Sequence, residues 1–80
     1  MHESHLIEPI IKGISEHARK EGVRKVTKIV LKIGQLTGAR EDTFNETFAV
    51  LSKGTILEGA SLEFIFFPGT IVQVISFDVE

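Results

Sequence analysis

The chain has 80 residues, enough for one domain with a modest core, and it carries no cysteine, which excludes disulfides and thiolate metal sites. Its apolar fraction is 42%, its charged fraction is 25% and its formal net charge is -2, so it lacks the basic excess typical of nucleic-acid-binding proteins. No apolar run is long enough for a membrane span or a signal peptide, and we expect a cytoplasmic domain.

The first predicted element is an amphipathic helix over residues 4–21. Its apolar residues recur at steps of three and four, namely Leu6, Ile7, Ile10, Ile11, Ile14 and Ala18. Ser4 is the expected N-cap and Gly22 the expected left-handed C-cap. Pro9 conflicts with a regular helix from Ser4, because its ring would meet the carbonyl four residues earlier. We therefore expect either a distorted first turn or a regular helix that begins near Glu8.

The middle of the chain predicts a strand, a loop and a second helix. Residues 24–33 alternate between apolar and polar side chains, as in a strand with one buried face. The fragment GQLTG, residues 34–38, indicates a loop, and EDTFNETFAVLSKG predicts the helix. Two starts are open for this helix, because Thr43 and Glu46 fit a capping box while Asp42 is a rival N-cap.

Two further strands are predicted over residues 60–67 and 71–79, with a turn at Pro68 and Gly69 between them. Alternation in the last strand would place Ile71, Ile75, Phe77 and Val79 on one face. The order helix, strand, helix, strand, strand predicts an α+β two-layer sandwich, with two helices on one face of a small mixed sheet of three to four strands. The fourth strand would come from the extreme N-terminus, and residues 1–80 would form a single domain.

A tight hairpin at the Pro-Gly turn would place four apolar side chains on the sheet face opposite the helices. These are Ile65, Phe67, Val72 and Val74. The twist of a type II turn, which Pro-Gly favours, also fits a two-residue hairpin poorly. We therefore predict a homodimer, formed by packing of this face or by exchange of the last strand. The alternative is a monomer that tolerates the patch.

Motifs for catalysis do not occur in the chain. His2 and His5 resemble a zinc-protease helix, but the HExxH motif places its second histidine one residue later. The glycines lack the Gly-Lys-Ser/Thr ending of a phosphate-binding loop, and no Ser-His-Asp signature is found. We expect no enzymatic activity and no catalytic residues.

The beginning of the chain offers metal-binding chemistry of another kind. Met1 supplies an amine, His2 an amide and an imidazole, and Glu3 an amide and a carboxylate. Amine, amide and imidazole nitrogens can surround a Ni(II) or Cu(II) ion in a square plane, whereas deprotonated amides disfavour Zn, Mg and Ca. The alternative is a frayed terminus that binds no metal.

Three stretches, the MHE start, EHARKEGVRKVTKIVLKIGQLTG and KGTILEGASLEF, resemble the hydrogenase/urease nickel-insertion accessory family (HypA/HybF) over residues 1–67. The resemblance implies a metallochaperone domain that passes Ni(II) to a nickel-enzyme precursor and works beside a hydrogenase-maturation GTPase. It implies nickel ligation by Met1, His2 and Glu3, and places partner contacts at Glu3 and Glu8.

The chain departs from this family in two places. Some members add an acidic ligand from the loop before the second helix. The ungapped position here is Arg40, which leaves its neighbours Glu41 and Asp42 as candidate additional ligands. The family's zinc domain is absent between about residues 67 and 71, so we expect no zinc. A second interpretation is therefore a degenerate, non-metal protein-interaction module that keeps the fold and dimerises.

Overall fold

A computed structural model describes residues 3–80, and it confirms the predicted order of elements in an α+β fold. The elements are α1 (Ser4–Lys20), β1 (Val26–Gly34), a short 3-10 helix (Gln35–Thr37), α2 (Glu41–Leu51), β2 (Ser61–Phe67) and β3 (Val72–Val79). Met1 and His2 lie outside the described residues, and so does the N-terminal segment predicted as a fourth strand. No helix in the described range is long and apolar enough to cross a membrane.

The sheet is built around β1. It pairs in parallel with β2, from Lys28 opposite Ser61 to Gly34 opposite Phe67, and antiparallel with β3 on its other side. The tight hairpin considered for the last two strands does not form, because β2 and β3 are opposite edges of the sheet. Residues 68–71 connect these edges by passing the carboxyl end of β1.

Both helices pack on one face of the sheet, as predicted, and the core lies between the layers. Strand β1 contributes most to it, because it has a neighbour on each side and helices above. The buried core side chains are Ile7, Ile11, Ile14, Val26, Ile29, Leu31, Ile33, Phe44, Phe48 and Leu57. Burial of each such side chain stabilises the fold by about 1.5–3 kcal/mol.

Helix α1 begins at Ser4, so its N-cap lies one residue earlier than the expected Ser4, and the helix continues through Pro9. Glu3 is the N-cap residue, and its carbonyl accepts the N–H groups of Leu6 and Ile7, both at 2.9 Å. The expected start near Glu8 is therefore wrong. Pro9 lies on the exposed side of the helix, where water can replace the hydrogen bond that its ring removes.

The other end of α1 confirms the predicted glycine cap. Gly22 has a φ of 71°, in the left-handed region. Beyond it, the N–H of Val23 donates to the carbonyl of Ala18 at 2.9 Å, and the N–H of Gly22 donates to Arg19 at 3.3 Å. These two bonds form a Schellman motif, which satisfies the last carbonyls of the helix.

A bulge in β3 changes which of its side chains face the helices. Val30 pairs with Ser76 and Leu31 with Val74, so Ile75 is an extra residue in the ladder. The alternation therefore shifts by one residue, and Val74 and Phe77 both pack against the core. The prediction that Ile71, Ile75, Phe77 and Val79 share one face is wrong.

Of the four side chains predicted on the face opposite the helices, the structure places two there. Val72 and Val74 pack against the core on the helix side, so their assignment to the opposite face is wrong. Ile65 is 44% exposed and pairs with Lys32, whose ammonium lies 4.8 Å from the ring centre of Phe67. The outer face therefore keeps Ile65 and Phe67, and gains the exposed Ile75.

The connection over residues 68–71 approaches Gly34 closely. The N–H of Gly34 donates to Ile71 at 2.8 Å, and that of Leu36 donates to Gly69 at 2.9 Å. A Cβ on Gly34 would overlap the backbone of Gly69 and lie 2.8 Å from the nitrogen of Thr70. Because backbone atoms form this contact, no side-chain rotation can relieve it.

We predict that Gly34→Ala lowers the free energy of unfolding by about 1–3 kcal/mol, since the added methyl group displaces the connecting segment. Urea denaturation followed by circular dichroism measures the change. Gly13→Ala is the matched control, because nothing lies within 4 Å of that position in α1. It should raise the free energy of unfolding by about 0.5–1 kcal/mol. Equal stability of Gly34→Ala and the wild type would contradict this account.

Candidate metal site

The start of α2 forms one wall of the candidate site, and it differs from both predicted starts. The helix begins at Glu41 and is preceded by Arg40, whose φ of -116° and ψ of 144° are extended. The N–H of Phe44 donates to the carbonyl of Arg40 at 2.8 Å, which closes the first turn. Neither Thr43 nor Asp42 is the N-cap, because both lie inside this turn.

The hydroxyl of Thr43 bonds to the beginning of the chain instead of capping its own helix. It donates to Oε2 of Glu3 at 2.6 Å, and the backbone N–H of Arg40 donates to the same oxygen at 3.4 Å. In a capping box, a carboxylate from the first turn accepts the N–H of the N-cap residue. Here a carboxylate from a distant segment does so, which joins the start of α1 to the start of α2.

The Glu3 carboxylate is buried, with 8% of the residue exposed. The Thr43 hydroxyl is the largest influence on the pKa of Glu3 and lowers it, and the Arg40 N–H lowers it further. Burial opposes both, but the net pKa lies below the ordinary value of 4.5. The carboxylate is thus ionised near neutral pH, close to the positive end of α2.

The structure describes only one of the three residues predicted to bind metal at the terminus. Met1 and His2 lie outside the described range, whereas Glu3 is in place as the N-cap of α1. The N–H of an N-cap residue has no carbonyl acceptor within its helix. The helix therefore leaves the Glu3 amide without a carbonyl partner, and this amide faces the residue's own carboxylate, whose pKa it helps to lower.

The candidate carboxylates Glu41 and Asp42 are both exposed at the start of α2. One oxygen of Asp42 accepts the N–H of Thr43 at 2.8 Å, and the other lies 3.4 Å from the guanidinium of Arg40. Over residues 3–80, no group of three histidine, aspartate or glutamate side chains is arranged to hold a metal ion. Ligation by Glu41 or Asp42 therefore stays a prediction that requires Met1 or His2.

The partner contacts predicted at Glu3 and Glu8 differ in exposure. Glu8 lies on the exposed side of α1. The carboxylate of Glu3 is buried against Thr43, which conflicts with a partner contact through that side chain.

Sequence reasoning missed Thr43 as a residue of this site. The pattern Thr-Phe-Asn-Glu favours a local cap, and a local pattern cannot reveal an acceptor 40 positions away. The one signal available was the conflict at Pro9, which marked the start of α1 as a place where helix propensity alone does not decide the structure. Glu3 supplies a tertiary contact there.

Comparisons with known proteins agree on one family. The family model described as hydrogenase/urease nickel incorporation, metallochaperone, HypA matches residues 1–72. The hydrogenase maturation factor HypA of Rhodobacter capsulatus is 39% identical over 69 residues, which are 86% of this chain and 61% of the relative. HypA of Legionella pneumophila strain Lens is 39% identical over 72 residues, 90% of this chain and 64% of the relative. The chain thus spans less than two thirds of these relatives.

A structural comparison supports the fold. The solution structure of the Ni metallochaperone HypA from Helicobacter pylori superimposes with a TM-score of 0.80 at 15% identity. The match covers 99% of this chain and 97% of the other. At this identity the likeness shows a shared arrangement of helices and strands.

The lowered pKa of Glu3 predicts how the stability of the metal-free protein depends on pH. Because the folded-state pKa lies below the unfolded value of 4.5, the carboxylate contributes stability above that pH. The contribution is lost as the pH falls through the folded-state pKa. We expect Glu3→Gln to be about 1 kcal/mol less stable than the wild type at neutral pH, with the difference shrinking on acidification.

Urea denaturation of both proteins with a chelator present, in steps from pH 7 to about pH 3, tests this. Glu8→Gln is the matched control, since Glu8 is exposed, and it should differ little from the wild type at neutral pH. A gap between Glu3→Gln and the wild type that stays constant at all pH values would contradict the prediction.

Proposed function

Because this chain belongs to the HypA family of hydrogenase/urease nickel-incorporation metallochaperones, we propose that it binds Ni(II) and delivers it during maturation of nickel enzymes. The observation that carries the proposal is the attachment of Glu3 to α2, through a 2.6 Å hydrogen bond from Thr43. This contact holds the start of the described chain against the fold, so an ion bound by the terminus would lie beside the start of α2. The metal ion is cargo, and the proposal includes no chemical reaction.

The proposed ligands come from four nitrogens at the terminus, namely the Met1 amine, the His2 amide, the His2 imidazole and the Glu3 amide. In a square plane the His2 amide has two adjacent positions, so two of the other three nitrogens join it in chelate rings. Such nitrogen donors suit a d⁸ ion and disfavour ions that prefer oxygen ligands. The carboxylate of Glu3 is excluded from the set, since its oxygen already accepts bonds from Thr43 and Arg40. A carboxylate from Glu41 or Asp42 would be an additional ligand.

The proposed partners are a hydrogenase-maturation GTPase and a nickel-enzyme precursor, met in the cytoplasm. Family membership supports this, and the exposed side of α1 around Glu8 is the proposed contact surface. The resemblance places the family's zinc domain between β2 and β3, where this chain has only residues 68–71. We propose that the single domain acts in nickel binding without a zinc site.

The outer face of the sheet favours self-association as a second property. Ile65 is 44% and Ile75 51% exposed there, beside the half-buried Phe67. Such apolar side chains on the uncovered face of a small sheet are typical of an interface. We propose a homodimer that covers this face. Dimerisation would also be expected under the second interpretation, in which the chain is a protein-interaction module that binds no metal.

We predict that tag-free protein binds one Ni(II) and that His2→Ala abolishes this complex, because two of the four proposed nitrogens come from residue 2. One extra residue before Met1 should have the same effect, since it moves the amine out of the chelate. Calorimetry measures the affinity, and the yellow absorption band of low-spin Ni(II) reports the square-planar geometry. His5→Ala is the matched control and should bind normally. Unchanged affinity in His2→Ala would refute the site.

We predict a monomer–dimer equilibrium that Ile65→Lys shifts to monomer, because the charge would be buried in the proposed interface. Sedimentation equilibrium at high micromolar concentration measures the molecular mass. Val50→Lys is the control, because Val50 is 63% exposed on α2, on the helix side of the sheet. A wild-type protein that sediments as a monomer at all concentrations would rule out the dimer.

A further inference from the structure

The hydrogen bond between Thr43 and Glu3 has the properties of a strong positioning contact. Its length of 2.6 Å falls in the range of hydroxyl–carboxylate bonds with a charged acceptor. Glu3 is 8% exposed as a residue, and its contact with Thr43 is partly buried. Glu3 is the one buried charged residue in the range 3–80. Its carboxylate is therefore the one charged group there whose hydration the fold must replace with hydrogen bonds.

The backbone of Glu3 is held from a second direction as well. Its carbonyl accepts the N–H groups of Leu6 and Ile7, both at 2.9 Å, as part of the first turn of α1. The side chain is bonded to α2 and the main chain to α1. The two helices together therefore set the orientation of the Glu3 residue.

We propose that Thr43 is a positioning residue for the nickel site: by holding the Glu3 carboxylate, its hydroxyl sets the direction in which the Glu3 amide meets the metal. This inference rests on the proposed function. A chelate of consecutive amides requires neighbouring peptide planes to share one plane with the metal. Holding Glu3 in advance lowers the entropy lost when the chelate forms.

The start of α2 should respond to nickel in turn. The N–H of Arg40 donates to the same carboxylate oxygen that Thr43 holds. If the Thr43–Glu3 hydrogen bond raises the affinity for Ni(II), then Ni(II) binding must raise the population in which this bond is formed by the same factor. Nickel binding therefore protects the Arg40 amide from exchange with solvent.

Two substitutions at position 43 test the role. Thr43→Val removes the hydroxyl and keeps the shape, whereas Thr43→Ser keeps the hydroxyl. Removal of a residue that orients a metal ligand weakens metal binding by about 10- to 100-fold. We expect calorimetry to show Ni(II) binding at least about tenfold weaker in Thr43→Val, with a weakened yellow band. Thr43→Ser should restore both the affinity and the band.

Thr55→Val is the matched control for lost stability. The Thr55 hydroxyl donates to the carbonyl of Ser52 at 2.7 Å in the turn after α2, so the change also removes one short hydrogen bond. It should keep wild-type nickel affinity. If Thr43→Val also binds Ni(II) as the wild type does while His2→Ala fails to, the positioning role is overturned and the nickel site stands. If the wild type binds no Ni(II), or His2→Ala binds it equally well, the proposed site fails and the inference fails with it.

Amide exchange in the wild-type protein tests the inference even if Thr43→Val does not fold. Square-planar Ni(II) is diamagnetic, so the amide signals can be followed by NMR with and without one equivalent of the metal. We expect nickel to slow exchange of the Arg40 amide several-fold and to leave the amide of Gly54, beyond the far end of α2, unchanged. An Arg40 exchange rate that nickel does not alter would overturn the inference.

Discussion

A single threonine hydroxyl connects the start of α2 to the carboxylate of the buried Glu3 at the start of α1, next to the proposed nickel ligands. A buried carboxylate is costly unless hydrogen bonds replace its hydration. Thr43 and the Arg40 N–H supply that replacement at 2.6 and 3.4 Å. The same residue is the N-cap of α1, so the contact joins the start of the first helix to the start of the second.

The central strand provides the frame that brings these two helix ends together. Strand β1 pairs on both sides, and its inward side chains form the floor of the core beneath α1 and α2. The parallel pairing of β1 with β2 requires a crossover connection, and α2 lies within it. The start of α2 therefore follows directly from the carboxyl end of β1, beside the start of α1. The site lies where the order of elements places two helix N-termini next to each other.

Patterns of apolar residues and glycines predicted much of the fold, and two departures have physical causes. Residues 4–21 were predicted as a helix and Gly22 as its cap because apolar spacing and a left-handed glycine are local properties. The faces of β3 were assigned wrongly because the bulge at Ile75 depends on pairing with β1, which a strand pattern does not contain. Thr43 was taken for a cap because its actual acceptor, Glu3, lies 40 positions away.

The sequence by itself determined the element types, the order of the elements and the family resemblance, and it is the source of the predicted metal site at the MHE start. These depend on residue types at short spacing, where local sterics and side-chain chemistry are sufficient. The tertiary structure alone decided that β1 is central, that Val72 and Val74 face the core, and that Glu3 is bonded to Thr43. Each of these joins segments that are distant in the chain, and only the packing of two helices on one sheet brings them within contact distance.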